Sequence, residues 1–129
     1  MQNNKHAINW FEIPVRDLSR SASFYSAVIG RPLSQEGFGG IPHAMFATTG
    51  PEAINGALVE DPKREPGNRG VTIYLDVTAV QPAVERAVAA GGKIVQPFTD
   101  IGPHGTIALI ADGDGNVVGL HAPKAKVAS

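Results

Sequence analysis

Cysteine is missing altogether from this chain of 129 residues. Its absence excludes disulfide staples, thiolate metal sites and a cysteine nucleophile, and it fits a reducing compartment, so a cytoplasmic location is expected. Aromatic residues are scarce at 6%, and Trp10 is the single tryptophan. Charge of neither sign dominates, since 11 Lys and Arg against 12 Asp and Glu leave a net charge of −1. The cations are scattered apart from Lys63-Arg64 and a short Lys124, Lys126 tail. Nucleic-acid partners are not expected, because phosphate backbones are bound by clustered cations that release counterions. No apolar run nears the ~18 residues that cross a bilayer, so no membrane partner is expected. The opening Met1-Gln2-Asn3-Asn4-Lys5 lacks the apolar stretch of a signal peptide, and none is expected. A Gly-x-Ser-x-Gly nucleophile elbow is also absent.

What the chain does have is glycine and proline, 15 and 10 residues, which punctuate an internal repeat. Ile13-Pro14-Val15 overlays Leu75-Asp76-Val77, and the offset of 75 from 13 is 62. The same offset places Trp10 on Thr72, Phe11 on Ile73, Glu12 on Tyr74 and Gly30 on Gly92. A repeat of this kind reads as one supersecondary unit used twice. At this length the two copies form a single domain, 1–129, and neither half-domain is large enough to stand alone.

Each copy carries its own start and stop signals. Residues 8–15 read as a strand of bulky side chains, with Pro14 near its end. Asp17 is a helix N-cap, Leu18, Ala22, Tyr25 and Ile29 lie on one helical face, and Gly30 and Pro32 stop the helix. Extended segments follow at 33–38, 43–49 and 54–60. The polar stretch 61–69, with two prolines and a glycine, is the exposed linker between copies 7–60 and 70–122. The second copy offers a strand at 71–77 and a helix at 80–90. That helix has Val80, Val84, Ala87 and Val88 on its apolar face, Pro82 in its first turn and Gly91-Gly92 at its end. Strands at 93–98, 105–111 and 117–122 complete it, with Asp112–Asn116 as a hairpin turn and 123–129 as a loose tail. The order is βαβββ twice, which predicts an α+β fold: a mixed sheet curled around a cleft and backed by helices.

Three stretches resemble the vicinal oxygen chelate superfamily, which includes glyoxalase I, bleomycin-resistance proteins and extradiol dioxygenases. They are Trp10-Phe11-Glu12-Ile13-Pro14-Val15-x-Asp17 followed by Ser23-Phe24-Tyr25 and Gly30, the helix end Ala89-Ala90-Gly91-Gly92, and Ile107–Ile110 leading into Asp112-x-Asp114-Gly115-Asn116-x-x-Gly119-Leu120. The resemblance covers about residues 7–122. It implies two βαβββ modules in a U-shaped half-barrel, commonly a homodimer, with four His, Gln or Glu ligands around a divalent metal. Such a metal polarises paired substrate oxygens.

Carried over residue by residue, the four ligand positions fall on Trp10, Gly56, Thr72 and Gly119. Trp and Gly side chains cannot bind a metal, and Thr is a poor neutral ligand. No cofactor is therefore expected, a divalent metal remaining only as a displaced site. Glu12 and His121 share strand faces with Trp10 and Gly119. They read either as a displaced acid–base pair or as ordinary hydrogen-bonded side chains. His43 and His104, flanked by prolines or glycine, read as loop residues or as lining of the cleft mouth, and Trp10 and Tyr74 as aromatic cleft walls or core packing. Asp112-x-Asp114-x-Asn116 resembles the start of a calcium loop, but Pro123 stands where its last glutamate belongs.

The expectation is a metal-free small-molecule binding protein. Its ligand-binding residues are Trp10, Thr72, Tyr74, Gly56 and Gly119, with the two glycines leaving room for the ligand. The alternative is a lyase, isomerase or dioxygenase using a displaced metal or Glu12 and His121. A third reading is a structural module acting through its dimer surface.

Overall fold

The computed structural model describes residues 6–50 and 53–124, so the N-terminus and most of the expected tail lie outside the described residues. The elements follow as β1 (Trp10–Pro14), α1 (Leu18–Ile29), β2 (Leu33–Phe38), β3 (Ile41–Phe46), β4 (Asn55–Val59), β5 (Tyr74–Asp76), α2 (Val80–Ala89), β6 (Lys93–Asp100), β7 (Thr106–Ala111) and β8 (Val117–Ala122). A 3-10 turn, Gly102–His104, precedes β7. Two four-stranded sheets result, in the orders β1-β4-β3-β2 and β5-β8-β7-β6. In each sheet the first strand pairs parallel with the last, and the other pairs are antiparallel. This is the expected α+β arrangement of two βαβββ modules.

Local chemistry sets the element ends. Asp17 adopts an extended conformation and its carboxylate accepts the Arg20 amide at 3.1 Å, while Glu60 accepts the Leu18 amide at 2.8 Å. Two of the amides left open at the start of α1 are thereby satisfied. Gly30 ends the helix at φ 73°, a left-handed conformation that glycine adopts without a Cβ clash. The β2–β3 hairpin turns on Gly39 and Gly40, both at positive φ, as a tight two-residue turn demands. β3 consequently starts at Ile41, earlier than the sequence pattern placed it.

Alternate residues of both sheets and the inner faces of both helices form one continuous core. Phe11, Ile13, Ala44, Phe46 and Leu58 come from the first sheet, Leu75, Ala108, Ile110, Val118 and Leu120 from the second, and Val15 and Val77 directly follow β1 and β5. Tyr25, Leu58, Ile110 and Leu120 are fully buried, and each large apolar side chain buried in this way contributes about 1.5–3 kcal/mol. The intervening residues face away from the helices and make an open face on each sheet.

Polar bridges join the modules at both ends of α1. The Asp112–Asn116 turn is more than a hairpin connection. Asp112 accepts from the buried Tyr25 hydroxyl at 2.7 Å, Asp114 pairs with Arg20 at 3.1 Å and accepts the Arg16 amide at 3.0 Å, and Asn116 donates to the Pro14 carbonyl at 2.8 Å. At the other end, Arg86 of α2 donates to the Ala27 and Val28 carbonyls at 2.9 Å each. A cation on these orphan carbonyls also complements the helix dipole.

Candidate functional site

The open face of the first sheet can be mapped from its register. Glu12 lies beside Ala57, which lies beside Met45, and Val59 lies beside His43, which lies beside Glu36. Ala57 and Val59 are buried without joining the helix-side core, so they floor this face beneath longer side chains. Glu12 is its electrostatic centre. Arg64 reaches in from the linker and donates to its Oε1 at 2.5 Å, Trp10 Nε1 donates to its Oε2 at 3.2 Å, and His43 Nε2 stands 3.8 Å from Oε2. The Arg64 hydrogen bond holds the Glu12 carboxyl below the usual carboxylate range. Partial burial opposes this, and the Trp10 indole and the Arg64 and His43 charges reinforce it. Glu12 is therefore a stable anion, better suited to anchoring a charge than to taking a proton at neutral pH.

His43 corrects the loop reading given to it. It lies in β3 and is buried, and its Nδ1 donates to the Ile41 carbonyl at 2.8 Å, which turns Nε2 toward Glu12. Pro42 was the misleading neighbour. It stands one residue before the β3–β4 ladder begins at His43, where its missing N–H costs little.

The open face of the second sheet is more apolar. Tyr74, Gly119 and Leu109 lie side by side across it, with Asp76, His121 and Ile107 in the next row. Thr72 is exposed and precedes β5. Tyr74 is 47% exposed and Trp10, on the first sheet, 41%. His121 Nε2 donates to the His104 carbonyl at 2.7 Å. No hydrogen bond or ion pair joins His121 to Glu12, and the histidine brought to Glu12 is His43.

Two expectations about the glycines are corrected. Glu12 pairs with Ala57 and Tyr74 with Gly119, and Glu12 and Tyr74 are repeat mates, so the mate of Gly119 is Ala57. Gly56 lies one step off, on the helix side, paired with Phe11. Nor do the glycines leave room. A Cβ on Gly56 would stand 2.4 Å from the Phe11 ring, and one on Gly119 would stand 2.1 Å from the Tyr74 ring. Each glycine is the seat of an aromatic ring from the adjacent parallel strand.

A cavity of about 610 Å³ runs between the modules. Glu12, Ile13 and Pro14 form one wall, Ile73 and Asn116–Val118 the other, and the linker from Glu65 to Val71 borders it. Its volume suits a drug-sized molecule. A neighbouring hollow of about 320 Å³ is lined by Arg64, Glu65, Glu60 and Arg16. A third, of about 380 Å³, opens beside Arg20 and Asp112, whose polar groups are already bonded to Asp114 and Tyr25.

With the register corrected, the four metal-ligand positions are Trp10, Ala57, Thr72 and Gly119. None offers an imidazole, amide oxygen or carboxylate, so this donor set does not fit a divalent metal. Among the described residues no group of three His, Cys, Asp or Glu side chains gathers elsewhere in a geometry that could hold one.

Paired βαβββ modules with an open-faced sheet in each and a cavity between them define the class of protein. The chain belongs to the Glyoxalase/Bleomycin resistance protein/Dioxygenase superfamily, whose sequence model matches residues 7–120. It is 30% identical over 104 residues to a glyoxylase-like domain-containing protein of Didymella fabae, covering 75% of this chain and 77% of that protein. It is also 30% identical over 116 residues to CFP32 of Mycobacterium bovis, where it spans only 44% of that protein's length. Among solved structures it resembles TnmS3, an antibiotic-binding protein from Streptomyces sp. CB03234. The TM-score is 0.69 and the identity 25%, over 95% of this chain and 100% of that one. A glyoxalase/bleomycin resistance protein from the same organism gives a TM-score of 0.65 at 28% identity, over 87% and 96% of the two chains.

Proposed function

We propose that this is a small-molecule binding protein that works without a metal. The observation that carries this reading is the chemistry of the open faces. The ligand positions hold Trp10, Ala57, Thr72 and Gly119, which bind no metal, while Trp10 stays half-exposed beside an ionised Glu12 and Tyr74 half-exposed on the second sheet. Apolar walls with a few placed polar groups are what small-molecule sites are made of. The fold shared with an antibiotic-binding protein supports the reading. Saturable quenching of Trp10 fluorescence by small aromatic compounds, unchanged by chelator, is the expected result. One metal per chain by elemental analysis, with loss of ligand binding on its removal, would refute it.

The protein works as a homodimer in the cytoplasm. Exposed Ile94, Val95 and Phe98 on β6, the edge strand of the second module, supply apolar surface of the kind a second copy covers. Sedimentation equilibrium tests this, and a monomer at micromolar concentration would count against it. One observation favours an enzymatic reading: the 3.8 Å approach of His43 to Glu12. A lyase, isomerase or dioxygenase would then use Glu12 and His43 as its polar pair. Turnover lost in Glu12→Gln and His43→Gln with ligand binding retained would establish it.

A further inference from the structure

The Glu12–Arg64 ion pair stands where two cavities meet. Glu12 lines the larger one, Arg64 lines the smaller, and Glu65 lines both. The pair is thus the partition between them. Arg64 projects from a linker without regular structure, its side chain is 40% exposed, and its single contact with Glu12 is through Nη1. Glu12, by contrast, is fixed on β1 with Trp10 hydrogen-bonded to it and His43 beside it.

We propose that the site takes a cationic ligand, an amidinium, guanidinium or protonated amine on an apolar body, which binds Glu12 in place of the Arg64 guanidinium. This rests on the small-molecule reading above and names the ligand class. Arg64 is then an internal stand-in for the ligand's head group. The exchange keeps Glu12 neutralised, so it avoids the cost of leaving a partly buried carboxylate unpaired. The exposed Trp10 donates its indole N–H to that carboxylate, so a ligand bound there lies next to the ring. With Arg64 withdrawn, the larger cavity carries the carboxylates of Glu12 and Glu65 against the one guanidinium of Arg69, a balance that favours a cation. Withdrawal also removes the partition, so the ligand's apolar body gains the combined space. An anionic ligand on Arg64 would instead be held beside the Glu12 carboxylate, at a repulsive cost.

The test is a titration of Trp10 fluorescence, confirmed by calorimetry, with benzamidine and its neutral isostere benzamide. Wild-type protein is expected to bind benzamidine about tenfold more tightly, the difference a charge-assisted hydrogen bond makes. Arg64→Ala is expected to bind benzamidine about two- to fivefold more tightly still, the worth of one half-exposed ion pair as competitor. Arg64→Lys, which keeps a competing cation, should bind about as wild type does. Glu12→Gln should abolish the preference for benzamidine. Benzamide binding as tightly as benzamidine, or an unchanged or weaker benzamidine affinity in Arg64→Ala that melts like wild type, would overturn the cationic site and leave small-molecule binding standing. If a broad panel of neutral, anionic and cationic aromatics leaves Trp10 unquenched, the small-molecule reading fails and this proposal with it.

Discussion

Gly56→Ala tests whether an aromatic ring is seated on a glycine in the core. The new Cβ would stand 2.4–2.5 Å from three carbons of the Phe11 ring, nearer than side chains ever pack. Phe11 cannot simply swing aside. It packs on the helix-side core, and its ring centroid lies 5.4 Å from that of Phe46, which in turn meets Tyr25 at 6.1 Å. Overpacking such a site costs about 2 kcal/mol. For a chain of 129 residues the unfolding entropy is about 0.27 kcal/mol per kelvin, so the melting temperature should fall by about 7 °C. Thermal unfolding followed by circular dichroism or calorimetry reads this directly. A Phe11→Leu/Gly56→Ala double variant should recover part of the loss, because the two changes share one contact and are not additive. Gly119→Ala makes an even shorter approach, 2.1 Å, but to Tyr74, which is 47% exposed and can rotate outward. Its cost should stay below about 1 kcal/mol. A Gly56→Ala protein melting within about 1 °C of wild type, or one less affected than Gly119→Ala, would refute the reasoning.

Glu12→Gln should lower stability at neutral pH. Because the native carboxyl sits below the ordinary value of 4.5, its stabilisation is present above that value and is lost as pH falls through the native one. Melts of the two proteins should therefore converge in acid, and added salt should narrow the gap at pH 7. Tyr25→Phe should cost about 1–3 kcal/mol by urea denaturation, since it removes the 2.7 Å bond to the buried Asp112. Burial first, then the Asp112 charge, pushes the Tyr25 hydroxyl well above its ordinary value. The wild-type protein should accordingly lose stability as pH climbs past about 10, where the unfolded chain ionises, and Tyr25→Phe should lose less. Arg86→Ala should cost about 1–2 kcal/mol in the same assay by stripping the last carbonyls of α1 of their donor.

Element types and the helix ends were legible because each rests on a local signal, whereas strand ends shifted, β3 starting at Ile41 and β5 shrinking to Tyr74–Asp76. Asp17, Gly30, Pro82 and the Gly39-Gly40 turn act where they stand. The register of β4 was not legible. Gly56, Ala57, Leu58 and Val59 are all buried, so this central strand shows none of the alternation that marks a face. One residue of slip moved the expected ligand position from Ala57 to Gly56. His43 could have been placed on the open face, because Ala44 and Phe46 alternate as core residues of β3 and leave His43 and Met45 on the other side, but the proline before it argued for a loop. Arg64 carried no signal at all. A polar linker reads as solvent-exposed, and its contact with Glu12 spans 52 residues of sequence. The Asp112–Asn116 turn was legible as a hairpin. Its bonds to Pro14, Arg16, Arg20 and Tyr25 depend on how the modules dock, which no local pattern records.

The bridges around α1 run one way. Its last carbonyls take their donor from α2, and its first turns are tied to the β7–β8 turn, whereas the N-cap of α2, Ala79, makes no side-chain cap bond. During synthesis α1 leaves the ribosome long before Arg86 and Asp112 are made. The half of the protein made first must wait for the half made last. Until then the Tyr25 hydroxyl and the last carbonyls of α1 lack the partners they have in the folded protein.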